Sequence, residues 1–361
     1  MNLINCHTHL FTVPSAPDGL FGPRIIMRLL SNRVLRRGIF LFATWIGHRF
    51  RTNRFDRLAA FAGIGSLETQ EDIFNLLQGY YPASSTFIVL PMDFTFMGAG
   101  PSKQPYLDQL GELRQLKRDP VIGPRIHPFV AIDPRRNGFL ALAQDLIENH
   151  GFSGIKLYPA LGFFPNDDRL LPLWEWAEAL QIPIMTHCSR GGVYFRGDPN
   201  DIQWPGHVRI DTSFLTPNSS WTDHLSDPVR FRPVFKQFPK LKVCFAHLGG
   251  DGECRQWLSE PWPSHLAETN WLSVILGLAK EYPNVYTDIS YTGYDRDLHA
   301  LLQVLVRDEQ IGNRVLFGSD FYMVQQAITE REFSIRIRSA LTEADFQKIS
   351  EINPRQYLFQ S

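Results

Sequence analysis

The chain has 361 residues, 44% of them hydrophobic and 20% charged, and 13% are aromatic. That composition supplies a large core and excludes a disordered chain. With 36 basic against 37 acidic residues the net charge is -1, so whole-molecule electrostatics offer no footprint for nucleic acid.

Four cysteines, Cys6, Cys188, Cys244 and Cys254, sit in or beside apolar runs without paired spacing. This suits reduced, buried thiols in a reducing compartment, and the expected location is cytoplasmic. No secretory leader is expected, because the first strand of the fold already occupies the amino terminus. The longest apolar stretch, residues 38–47, is about half of the roughly 20 residues that a spanning helix needs.

Short runs rich in Val, Ile and Phe predict strands at 2–6, 86–91, 126–132, 154–158, 182–187, 242–247, 284–289 and 314–318. Helical periodicity lies between them, at 106–117, 138–149, 170–180, 270–281 and 295–306. Strand and helix alternate throughout, which predicts an α/β fold: one (β/α)8 TIM barrel over residues 1–361, with insertions after strands 1 and 5 at about 11–65 and 189–227. An open doubly wound sheet would want a glycine-rich phosphate loop after the first strand, and His7-Thr8-His9 stands there instead.

Both insertions follow carboxyl ends of strands, where barrel enzymes build their sites, so they are expected to wall the pocket and set substrate choice. The first is basic: Arg24, Arg28, Arg33, Arg36, Arg37, Arg49, Arg51, Arg54 and Arg57 stand against Asp56 as the acid of that stretch. A solvated helical lid is the ordinary reading, and contact with an anionic membrane surface is the lesser expectation.

His7 and His9 are two residues apart, so on a strand they face one side and can grip one ion. An isolated pair of this kind is as readily a pair of hydrogen-bonded structural histidines. Further residues weigh against that: strand five ends in His187, strand six in His247, and strand eight runs into Asp320. In a barrel these ends gather at one mouth, and imidazole with carboxylate is a ligand set for zinc and similar divalent ions.

With these residues the chain resembles the amidohydrolase superfamily, most closely its amidohydrolase-related (amidohydrolase 2) branch, which also contains metal-dependent decarboxylases. The resemblance rests on His7-Thr8-His9, the run from Gly154 to Pro159, Thr186-His187, the run from Ala246 to Gly250, Gly318-Ser319-Asp320 and the closing run from Ile352 to Leu358. It implies that His7, His9 and His187 are metal ligands. Asp320 becomes a further ligand or the base for metal-activated water, and His247 a catalytic acid/base or electrostatic stabiliser. Zinc is the expected ion. One ion is favoured, with Lys156 binding a substrate carboxylate; in binuclear relatives a carboxylated lysine at this place bridges two ions.

Arg190 is expected to clamp a substrate carboxylate, its alternative being a loop arginine paired at the surface. Asp288 is expected to support the site from strand seven, helix capping after a strand being the equally ordinary role. Cys6 and Cys188, each beside a ligand, should by alternation point towards the surrounding helices.

The leading expectation is hydrolysis of an ester, lactone or amide in a small, carboxylated substrate, since hydrolysis prevails in the superfamily. The alternative is a non-oxidative decarboxylase of the same branch, and below it a barrel that binds without catalysis. The expected partners are a small-molecule substrate and a second copy of the chain, with no nucleic acid.

Overall fold

The computed structural model describes residues 2–20, 63–64, 67–204, 219–260 and 268–359. Eight parallel strands follow in the order β1 to β8: Ile4–Thr8, Thr86–Val89, Ile126–Ile132, Gly154–Leu157, Ile184–Thr186, Val243–Phe245, Val285–Asp288 and Val315–Leu316. Each falls within two residues of its expected place, because short β-branched and aromatic runs buried on both faces leave the backbone little choice. The helices between them cover the outside, as Tyr106–Arg118, Phe139–His150, Leu171–Ala179, Trp271–Glu281 and His299–Arg307 do. This is a (β/α)8 barrel.

Local chemistry marks the helix ends. Thr69 and Asp72 form a reciprocal capping box at the start of Gln70–Gln78, Asn270 caps Trp271–Glu281 through Ser273 N, and Gly151 ends Phe139–His150 in the left-handed conformation.

The ring closes where β8 meets β1. Cys6 N donates to Phe317 O at 2.8 Å and Asp320 N donates to His7 O at 2.8 Å. Gly318 permits this approach, since a Cβ there would stand 2.7 Å from His7 Cβ. The amino-terminal end of the barrel is plugged by Tyr357 and Leu358, which pack with Ile4, Cys6, Met185 and Cys244. Asn353 holds that plug by donating to Gly312 O and Val315 O at 2.9 and 2.8 Å.

One orientation differs from expectation. The β1–β2 register shifts between Asn5 and Thr8, so strict alternation fails there. Cys6 shares the inward face of Ile4, two residues before it, and the adjacent His7 also reaches the barrel mouth, while Cys188 faces the helix layer as expected. Both thiols are buried and free.

The expected insertions fall partly outside the described residues, and the arginine-rich run 24–57 and the apolar run 38–47 fall wholly outside them. Their described flanks interlock above the mouth. Arg196, after β5, donates to Gly19 O and Leu20 O, and its backbone N donates to Met97 O at 2.6 Å. Among the described residues, no helix is long and apolar enough to cross a membrane.

Gly318→Ala is expected to lower the unfolding free energy by about 1–3 kcal/mol through overpacking at the seam, and to displace His7. Denaturant unfolding together with metal titration of the same variant checks both effects.

Candidate metal centre at the barrel mouth

The histidines and Asp320 lie at or just beyond the carboxyl ends of their strands, where the ladder no longer dictates side-chain direction. Irregular backbone aims several of them. His247, Leu248, Tyr291 and Asp320 all have positive φ, at 65°, 53°, 57° and 56°. Such conformations cost about 1–3 kcal/mol each in residues other than glycine, and their concentration after β6, β7 and β8 marks this end of the barrel as the functional one.

His7, His9 and Asp320 bring ligand atoms within 4.8 Å of one another. His9 Nδ1 lies 2.7 Å from Leu90 O and donates to it, which leaves Nε2 as a lone pair 3.8 Å from Asp320 Oδ1. That carboxylate oxygen is buried and has no hydrogen-bond partner among the described residues. A buried oxygen facing an imidazole lone pair is a donor set left unsatisfied by the protein, and a divalent cation satisfies it. His187, just after β5, is outside that close group: its ring centroid lies 5.1 Å from that of His247 and 4.0 Å from that of Tyr158. Its Nε2 is 3.2 Å from Ser189 Oγ.

His7, His247 and Asp288 form a second close group. Here the protein supplies the hydrogen bonds itself. Asp288 Oδ2 lies 2.9 Å from His7 Nδ1, and Asp288 Oδ1 accepts from His247 N at 2.9 Å and from the Ser290 hydroxyl. Ser290 Oγ is in turn 2.8 Å from His247 Nδ1. Since the serine proton goes to Asp288, His247 Nδ1 is the donor to Ser290, and the Nε2 atoms of both His7 and His247 are left as acceptors. Asp288 thus fixes the tautomer of a metal-ligand candidate, as carboxylates behind ligating histidines do.

The charge states agree with this wiring. Burial lowers His7, His9 and His187, and brings His247 to about 3, so the rings are neutral. Burial alone would raise Asp288, but His7, its hydrogen bond and His247 outweigh that and hold the carboxyl below its usual range. Burial raises Asp320 to about 7 against the pull of Lys156.

Lys156 is aligned on β4 with Met185 and Cys244, 1% exposed in the barrel interior, and burial takes its amine down to about 8. Arg190 is placed otherwise: Nε donates to Glu253 Oε1 at 2.6 Å, and the guanidinium lies 4.6 Å over the Trp271 ring. Neither partner belongs to the histidine cluster. An aromatic wall flanks the ligands, with Phe11 stacked on Tyr322 at 4.9 Å and 5.6 Å from His9. Ser290 and Tyr158 carried no expected role; the Asp-x-Ser spacing after β7 and the Lys-x-Tyr spacing on β4 were the available signals.

A family model described as amidohydrolase matches residues 116–359, well over half of the chain. The chain belongs to the amidohydrolase family. Among solved structures, the chain is similar to an uncharacterized TIM-barrel protein from Bordetella bronchiseptica, with a TM-score of 0.57 and 16% identity over 99% of this chain and 98% of that one. It is also similar to 5-carboxyvanillate decarboxylase from Sphingomonas paucimobilis, with a TM-score of 0.53 and 13% identity over 99% and 98% of the two chains. A third is a dihydroxybenzoic acid decarboxylase from a Polaromonas species with bound manganese and 2-nitroresorcinol, at a TM-score of 0.52 and 16% identity over 99% and 97%. At these identities the likeness establishes the barrel fold.

Two outcomes follow from the geometry. Asp288→Ala is expected to weaken metal binding about 10–100-fold, read by competition with a chromophoric chelator. For metal-stripped protein, Asp320 is raised in the folded state from an ordinary 3.8 to about 7. Its contribution to stability is therefore full below 3.8 and is lost as the pH rises through about 7. The unfolding free energy of wild type relative to Asp320→Asn should fall between about pH 4 and 8, with a slope of at most roughly 1.4 kcal/mol for each step of one in pH. Denaturant unfolding of both proteins across that range measures it.

Proposed function

We propose that the protein is a metal-dependent, non-oxidative decarboxylase of a small planar carboxylate. The observation that carries this reading is the aromatic wall of Phe11, Tyr322 and Tyr158 against the ligand cluster, with the buried ammonium of Lys156 in the same barrel interior. A flat unsaturated acid suits such walls, and a buried cation suits its carboxylate. Two of the fold neighbours are by name decarboxylases of aromatic acids, and this supports the decarboxylase over the hydrolase expected from the sequence.

His7, His9, His187 and Asp320 would hold one divalent ion, zinc or manganese, whose contribution is Lewis-acid binding of the substrate oxygens. Lys156 neutralises the carboxylate. When the carbon–carbon bond breaks, its electron pair stays on the substrate carbon and takes up a proton, while carbon dioxide leaves. His247 Nε2, an acceptor in the free protein, takes up a proton from solvent as the anionic substrate binds and delivers it to that carbon; Asp288, reached through Ser290, balances the charge of the ring meanwhile. A bound carboxylate favours the protonated ring in the same way.

Hydrolysis is the second reading, favoured by the unpartnered Oδ1 of Asp320, which is placed to take a proton from water. Zinc- and manganese-loaded protein should be screened against hydroxybenzoates, pyridine carboxylates and lactones. Decarboxylation releases carbon dioxide and, in heavy water, leaves one deuterium on the vacated carbon. His247→Ala should lower kcat about 100-fold or more with a small change in KM. Incorporation of solvent oxygen without carbon dioxide would establish hydrolysis instead.

A further inference from the structure

Outside the ligand cluster, at the β1–β8 seam, lies a second buried polar group that the chemistry above does not use. Asn5 is fully buried. Its Oδ1 accepts from His7 N at 3.2 Å and from Ser319 N at 3.1 Å. Its Nδ2 donates to Ser319 Oγ at 2.9 Å and to Tyr81 Oη at 3.1 Å, and reaches Glu330 Oε1 at 3.5 Å. The Tyr81 hydroxyl also donates to Glu330 Oε1. Glu330, fully buried at the start of the helix Glu330–Ala340, leaves Oε2 without a partner among the described residues.

This placement is informative because β8 pairs with β7 through its ladder but meets β1 through isolated backbone bonds. The register of β1 also shifts in the segment that begins at Asn5. The Asn5 amide therefore supplies bonds that a ladder supplies elsewhere, one to His7 and one to the residue before Asp320. Its orientation is set by Tyr81 and Glu330, since their acceptor oxygens require the NH2 group on their side.

We infer that Asn5, oriented by Tyr81 and Glu330, is a positioning residue that sets the spacing between His7 and Asp320 and thereby the affinity of the metal centre. It touches neither metal nor substrate and acts through the two strands that carry the ligands. The inference rests on the metal reading of those ligands.

The test is zinc affinity of the full chain, by chelator competition, measured beside the melting temperature of the metal-free protein. Asn5→Ala should bind zinc about 10–100-fold more weakly. Tyr81→Phe, which keeps the ring, should show a smaller loss and serves if Asn5→Ala fails to fold. Glu330→Gln keeps an acceptor for Tyr81 and Asn5 and should stay within about threefold of wild type, whereas Glu330→Ala should match Asn5→Ala. Asn353→Ala removes an equally buried amide at the other end of the barrel, and should lower the metal-free melting temperature while leaving zinc affinity unchanged.

Wild-type zinc affinity in Asn5→Ala or Tyr81→Phe would overturn the inference alone. Equal losses in Glu330→Gln and Glu330→Ala would overturn the role given to Glu330. Failure of the wild type to bind zinc or manganese would overturn the metal reading, and this inference with it.

Discussion

The closure of β8 onto β1 is the constraint on which the mouth depends. Two backbone hydrogen bonds, Cys6 N to Phe317 O and Asp320 N to His7 O, bring the first strand of the chain against the last. They do so across a glycine whose missing side chain lets His7 approach. Strands more than 300 residues apart in sequence thereby place their ligand candidates side by side. A barrel opened at this seam would keep its helices and most of its core, yet it would have no centre.

Within that ring, polarity is segregated by depth. The amino-terminal end is apolar and plugged by Tyr357 and Leu358, and the carboxyl end collects imidazoles, carboxylates and one ammonium with little access to water. Burial drives the histidines neutral and Asp320 towards the protonated acid. The neutral imidazoles keep lone pairs for a cation, and a bound cation would draw the proton off Asp320. Asp288 is the exception: it keeps its charge because His7, His247 and Ser290 satisfy it. One carboxylate thus orients rings, while the other is left free, and the difference lies in hydrogen bonding rather than in residue type.

Arg190 and Asp288 show what residue type alone leaves open. Both are charged residues close in sequence to strand ends. The arginine, offered to a substrate by its chemistry, is engaged by Glu253 and Trp271, whose nearness depends on how the loops after β5 and β6 pack. The aspartate, equally plausible as a cap, is instead central to the cluster.

By itself the sequence determined the eight strands, the helices between them and the strand ends that carry His7, His9, His187, His247 and Asp320. Those features are local: periodicity of apolar residues, β-branched runs and the spacing of a few polar groups are set by neighbours along the chain. Tertiary structure decided what those residues became. The shift in β1 that lets both Cys6 and His7 face the barrel, the Ser290 bridge from His247 to Asp288, the pairing of Arg190 with Glu253 and the hydrogen bonds of Asn5 at the seam all depend on contacts between distant segments. A hydrogen bond requires an approach within about 3 Å and a direction, and neither is written in residue order.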